Sequence, residues 1–135
     1  MLLQFRDSNE ALLDRLEAAV IALAEEVTDT GPVRVSARPS RRPVLPTDMD
    51  AELQRYIAEA AAKHAPGRWM RMPSAAGHDP MVISPHLPCA MLFIPSIDGI
   101  SHDFAEDSKR EDIVNGCQVL AEAAESILRN STSNA

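Results

Sequence analysis

Residues 2–37 read LLQFRDSNEALLDRLEAAVIALAEEVTDTGPVRVSA, and their patterning sets the expected fold class. Within them Leu12, Leu13, Leu16, Ala19, Val20 and Leu23 recur at spacings of three and four, with Glu10, Asp14, Arg15, Glu17, Glu25 and Glu26 between them. That spacing gathers the apolar side chains into one stripe, so an amphipathic helix is expected from Asn9 to Val27. Asp7 and Ser8 carry short oxygen-bearing side chains that can cap the free amides of its first turn. Ahead of the helix, Leu2 to Arg6 reads as a strand. Behind it, Gly31-Pro32 is a breaker, and Val33 to Ala37 alternates apolar and polar residues as a half-buried strand does. A strand, a helix and a strand in succession make a β-α-β unit over residues 1–37, which points to the α/β class.

Outward from that unit, residues 38–46 hold three prolines and three arginines, Arg38, Arg41 and Arg42. Proline has no amide to donate to a ladder, so this stretch reads as a crossing between two subdomains. A second helix is expected from about Asp48 to His64, with Met49, Leu53, Tyr56, Ile57 and Ala60 on one face and the carboxylates of Asp50 and Glu52 at its positive end. Pro66-Gly67 stops it. Arg68 to Met72 and Ala90 to Ile94 are short apolar runs between turn residues and read as buried strands. The last helix runs from about Arg110 to Leu128 through Ile113, Val114, Cys117, Leu120, Ala124 and Ile127, with Cys117 buried. The second subdomain, residues 47–130, would then be helices flanking a small mixed sheet, followed by a polar tail over 131–135.

The composition removes several functions. A chain of 135 residues suits one compact domain or two small ones. It carries 20 acidic and 13 basic side chains for a net charge of −7, whereas nucleic-acid binders present a basic face. Nucleic acid is therefore not an expected partner. Cys89 and Cys117 form neither a C-x-x-C pair nor a disulfide framework and read as reduced thiols of a cytoplasmic protein. The first residues lack the basic and apolar regions of a secretory signal. The longest apolar run, Ala18 to Ala24, is far short of the roughly 20 residues that span a bilayer, so no membrane partner is expected.

The chemistry-bearing residues concentrate between Met72 and Glu106, in two loops that each follow an expected strand. One is Pro73-Ser74-Ala75-Ala76-Gly77-His78-Asp79; the other is Pro95-Ser96-Ile97-Asp98-Gly99-Ile100-Ser101-His102. Ligand groups gather at strand ends in α/β proteins. A neutral imidazole there can bind a divalent metal while a carboxylate orients it, and His102 with Glu106, or His78 with Asp79, offers that pairing. A single histidine in a surface loop is more often solvated polar surface than a metal ligand. A self-contained zinc site needs at least three protein ligands, and the chain has no H-E-x-x-H, no H-x-D and no Glu-Glu pair in a loop.

The ordered motifs carry more than the isolated residues do. Residues 72–79, then Met91-Leu92-Phe93-Ile94-Pro95-Ser96, then Gly99-Ile100-Ser101-His102 with Glu106, then Glu111-Asp112 and Gly116 before Val119-Leu120, resemble the C-terminal segment of the dinuclear-metal amidohydrolases. That family includes N-carbamoyl-L-amino-acid hydrolases, allantoate amidohydrolases and β-ureidopropionases. Residues 1–37 resemble the end of its dimerisation or lid domain. The resemblance implies that His102 is a metal ligand, that His78 contacts substrate near the metals, and that Arg6 grips a substrate carboxylate. It implies further that Asp79 holds the His78 loop and that Glu106 stands behind the His102 ligand. Ala75 replaces a glycine of the family pattern, and Gln4 replaces an aspartate.

Two zinc or manganese ions are implied for the intact family. The H-x-D ligand, the bridging aspartate, the Glu-Glu pair and a further histidine are absent from this sequence. The chain is therefore expected to bind metal weakly, to contain no complete catalytic set and to be inactive alone. Its expected partners are a second copy of itself or a complementary N-terminal catalytic chain, with a small carboxylate-bearing substrate only when the site is complete. The alternative is a non-catalytic oligomerisation or docking module derived from the same family.

Overall fold

The structure, a computed structural model, describes residues 1–40 and 43–133, with side chains through Asn130. Arg41 and Arg42, counted above in the proline-rich crossing, and the last two residues of the expected tail lie outside the described residues. Among the described residues there are four α-helices, α1 (Glu10–Thr30), α2 (Ala51–His64), α3 (Pro80–Ile83) and α4 (Arg110–Ser133), with a 3-10 turn at Ile97–Gly99.

The expected α/β class is not what forms. Among the described residues there is no strand and no sheet, so neither the β-α-β unit of residues 1–37 nor the small mixed sheet exists here. The four expected strands, at 2–6, 33–37, 68–72 and 90–94, are irregular segments. Alternating or apolar sequence describes what a segment can bury; a strand also needs a second backbone about 4.8 Å away to exchange hydrogen bonds with. In the 33–37 segment a side chain takes that role. The Thr28 hydroxyl accepts from Val35 N–H and donates to Val35 C=O, both at 2.8 Å, which folds the segment back on the end of α1.

The described chain divides into two compact units: Met1–Asp48 with Pro73–Ala76, and Met49–Met72 with Gly77–Ala135. In the first, α1 is capped one residue later than the sequence suggests. Asn9 accepts from Leu12 N–H at 3.2 Å, and Asp7 accepts from Asn9 N–H at 2.8 Å, so Asp7 braces the cap residue. The helix passes Val27 and ends at Thr30, where Gly31 donates to Val27 C=O at 3.0 Å. The apolar stripe covers little: Ala24 is the one buried residue of α1, and Leu23 remains 59% exposed.

The second unit holds the core. Tyr56, Ala60 and Ala61 of α2 pack against Val119 and Ala123 of α4, with Ile57, Leu92 and Ile127 at the margin. Small alanines let the two helices approach closely, since interaxial distance follows the side chains at the contact. Polar groups tie both ends of this pair. Arg68, just beyond α2, reaches Asp112 at 3.1 Å. Asn130, near the end of α4, donates to the Tyr56 hydroxyl at 2.9 Å, and that hydroxyl donates to Glu52 at 3.2 Å. Midway, Glu122 accepts from Lys63 at 2.8 Å and faces His64 Nε2 at 3.2 Å.

Hydrogen bonds from Lys63 and then His64 hold the Glu122 carboxyl below its ordinary range. A carboxyl depressed in the folded state stabilises at neutral pH, and that stability is lost as acid protonates it. The unit should therefore lose stability as the pH falls below the ordinary carboxyl value of 4.5. Urea midpoints compared between pH 7 and pH 3 should fall more steeply for the parent than for Glu122→Gln, which has no charge to lose.

One face of α4 does not pack on α2. Ile113, Val114, Leu120 and Leu128 are exposed, and so is Cys117, contrary to the burial expected for it. The helix carries two apolar stripes, one through Val119 and Ala123 and one through Ile113, Cys117, Leu120, Ala124 and Leu128, and α2 covers only the first. Between them Gly116 lies against Ile94: a Cβ at residue 116 would stand 2.5 Å from Ile94 Cγ2. Gly116→Ala should gain about 1 kcal/mol of helix propensity and lose about 2 kcal/mol to overpacking. Urea unfolding of the variant should show a small net destabilisation.

Candidate functional site

The residues singled out by sequence fall at three places. In the first unit, the exposed Arg6 donates to Ala75 C=O at 2.8 Å and, more weakly, to Gln4 Oε1 at 3.5 Å. Gln4 and Ala75 thus touch the same guanidinium. Arginine presents five N–H donors in a planar fork, so this anchoring fixes the side chain while a carboxylate-sized acceptor can still be met.

His78 and Asp79 open the second unit's short helix. His78 C=O accepts from Met81 N–H at 3.0 Å, and Asp79 C=O accepts from Val82 and Ile83 N–H at 2.9 and 3.3 Å. Asp79 is the N-cap of α3 by backbone position, with no capping bond from its side chain, and Pro80 supplies the first helical residue. The half-buried His78 ring leans on Phe93, with ring centroids 5.3 Å apart and planes tilted by 51°. Phe93, part of the apolar run and of the 91–96 motif, thus sets an apolar ring beside the His78 imidazole.

His102 lies in a loop whose ends are pinned together by Ile97 N–H donating to Asp107 C=O at 2.8 Å. Three residues of this loop are left-handed: Asp98 at φ 56°, Gly99 at φ 69° and His102 at φ 60°. Asp-Gly tolerates that conformation, and the pair is a sequence signal for it. Nothing in the sequence marked His102 for it. The exposed His102 has its backbone N–H held by Glu106 Oε2 at 2.8 Å. Asp103 supports the same turn, accepting from Ala105 N–H at its side chain (2.9 Å) and from Glu106 N–H at its carbonyl (3.0 Å).

Among the described residues no three His, Cys, Asp or Glu side chains converge as a metal site requires. His102 contributes one exposed imidazole, and the nearby Glu106 carboxylate is engaged by the backbone. The described side chains therefore do not fit a zinc or manganese ion by themselves. Cys89 and Cys117 are free thiols. No described helix is long and apolar enough to cross a membrane.

Comparison with known proteins places this arrangement. Residues 7–126 match the model of "Peptidase family M20/M25/M40". A solved crystal structure of an amidase of the hydantoinase/carbamoylase family, from Burkholderia phymatum, superposes with a TM-score of 0.75 at 41% identity, covering 90% of this chain and 28% of that one. The N-carbamoyl-L-amino acid amidohydrolase of Geobacillus stearothermophilus is 32% identical over 120 residues, which is 87% of this chain and 28% of the relative. The allantoate amidohydrolase of Escherichia coli is 38% identical over 76 residues, 56% of this chain and 18% of the relative.

As a class, the fold is similar to a segment of that hydantoinase/carbamoylase-family amidase. The chain belongs to peptidase family M20/M25/M40, with relatives of the carbamoylase and allantoate amidohydrolase kind. It spans less than a third of the length of these relatives.

Proposed function

We propose that this chain is the C-terminal portion of a metal-dependent amidohydrolase acting on a linear C–N amide, of the N-carbamoyl amino acid or ureido type. Its site is completed by a catalytic portion that these 135 residues do not contain. The supporting observation is family membership over residues 7–126 in a chain that spans less than a third of the length of its relatives. In this reading His102 supplies one ligand to a zinc or manganese pair, His78 lines the substrate pocket with Phe93 behind it, and Arg6 binds the substrate carboxylate through its guanidinium fork. The free thiols suit a reducing compartment, and the cytoplasm is the proposed location.

The test is direct. The purified chain, alone, should hydrolyse N-carbamoyl amino acids no faster than buffer and retain well under one zinc per chain after gel filtration. Measurable turnover, or stoichiometric metal that survives chelator-free dialysis, would overturn the claim that it is incomplete.

The second reading, a non-catalytic assembly module, is favoured by the uncovered apolar stripe of α4. It predicts a homodimer whose partner is another copy of this chain. Light scattering at micromolar concentration checks this: a sharp monomer peak removes the homodimer.

A further inference from the structure

We infer that Glu106 is a positioning residue for His102 that acts on the backbone of that histidine and not on its ring. The inference rests on the reading of His102 as one member of a shared site. A carboxylate behind a ligating histidine ordinarily orients it through the second ring nitrogen. Here the Glu106 carboxylate instead accepts the His102 backbone N–H at 2.8 Å.

The backbone at that point needs holding. His102 sits at φ 60°, where the Cβ of an L-residue crowds the neighbouring carbonyl. Such a conformation persists when its surroundings over-determine it. The surroundings are a closed set of bonds: Asp103 C=O takes Glu106 N–H, Asp103 Oδ1 takes Ala105 N–H, and Glu106 returns its carboxylate to His102 N–H. The base of the loop is fixed by the bond from Ile97 to Asp107. With the amide of His102 tied on one side and the loop base on the other, the direction of its Cα–Cβ bond is set within residues 97–107. The imidazole is thus presented before any metal or partner arrives.

An acceptor for an amide and a charge for an imidazole make opposite demands on the residue at 106. Glutamine keeps an oxygen at the same reach and loses the charge. Aspartate keeps the charge and falls one methylene short. Alanine keeps neither.

The experiment uses the full 135-residue chain, labelled with nitrogen-15. In Glu106→Ala and Glu106→Asp the His102 amide proton should move upfield and exchange with solvent about tenfold faster, as expected on losing a hydrogen bond to a charged acceptor. In Glu106→Gln it should stay within about threefold of the parent rate, because a neutral acceptor remains. The amides of Tyr56 and Val119 report that the helix pair is intact in every variant. A Glu106→Gln chain that behaves like Glu106→Ala, or a Glu106→Ala chain with an unmoved His102 amide, would overturn the proposal. These readouts need neither metal nor partner. If chains completed with the catalytic portion are all inactive, the parent included, the hydrolase reading fails while the amide data still decide the role of Glu106.

Discussion

Mixing this chain with a polypeptide that supplies the remaining catalytic portion of a family relative is expected to produce metal-dependent hydrolysis of an N-carbamoyl amino acid, and His102→Ala in this chain is expected to abolish it. The expected loss is about a thousandfold or more in kcat, equivalent to about 4 kcal/mol of transition-state stabilisation. The size follows from what the histidine does in the proposed site. In that site His102 would help to hold the metal, and its removal would weaken whatever the metal supplies there. Arg6→Ala should behave differently. A guanidinium that grips a carboxylate remote from the scissile bond contributes mainly to binding, so KM should rise about tenfold or more with a smaller change in kcat. Steady-state kinetics of the two mixtures, with zinc and with manganese, distinguish these outcomes. Equal activity of the parent and His102→Ala mixtures would remove His102 from the site.

The second large effect lies in the helix pair. Ala123 is only 2% exposed, between α4 and α2. Ala123→Glu would place a carboxylate there without a partner, which costs about 3–5 kcal/mol. A small domain has about 5–15 kcal/mol in total, and this unit's core of three alanines, one valine and one tyrosine places it low in that range. The variant should therefore lose most of its α2 and α4 helicity at 25 °C, as read by far-ultraviolet circular dichroism. Tyr56→Ala should cost about 3 kcal/mol, typical of removing a buried aromatic ring, and would also leave Asn130 and Glu52 without the hydroxyl they share. If Ala123→Glu melts with the parent, the α2–α4 contact is not what holds the unit together.

The helices were legible because their determinants are local. The three-and-four spacing from Leu12 to Leu23, the Asp50 and Glu52 carboxylates at the positive end of α2 and the breaker Pro66-Gly67 each act within a turn or two of chain, and α1, α2 and α4 appear near their expected limits. The strands were not legible, because whether Val33–Ala37 or Ala90–Ile94 becomes a strand depends on a neighbour that its own residues do not specify. The same limit explains Cys117. Periodicity identified apolar positions on α4, but which of two apolar stripes meets α2 is decided by packing. Within the candidate site, the motifs pointed to His78, His102 and Glu106. The contacts of these residues, with Phe93 and with a backbone amide, lie beyond what spacing alone can express.

The uncovered stripe of α4 also changes what a melting temperature of this protein can mean. If a partner covers Ile113, Cys117, Leu120 and Leu128, folding and association are one equilibrium, and each tenfold rise in free partner above its dissociation constant adds about 1.4 kcal/mol to the apparent stability. The protein would then have no single intrinsic stability. It would be as stable as its surroundings are rich in that partner, and dilution alone would act on it as a denaturant.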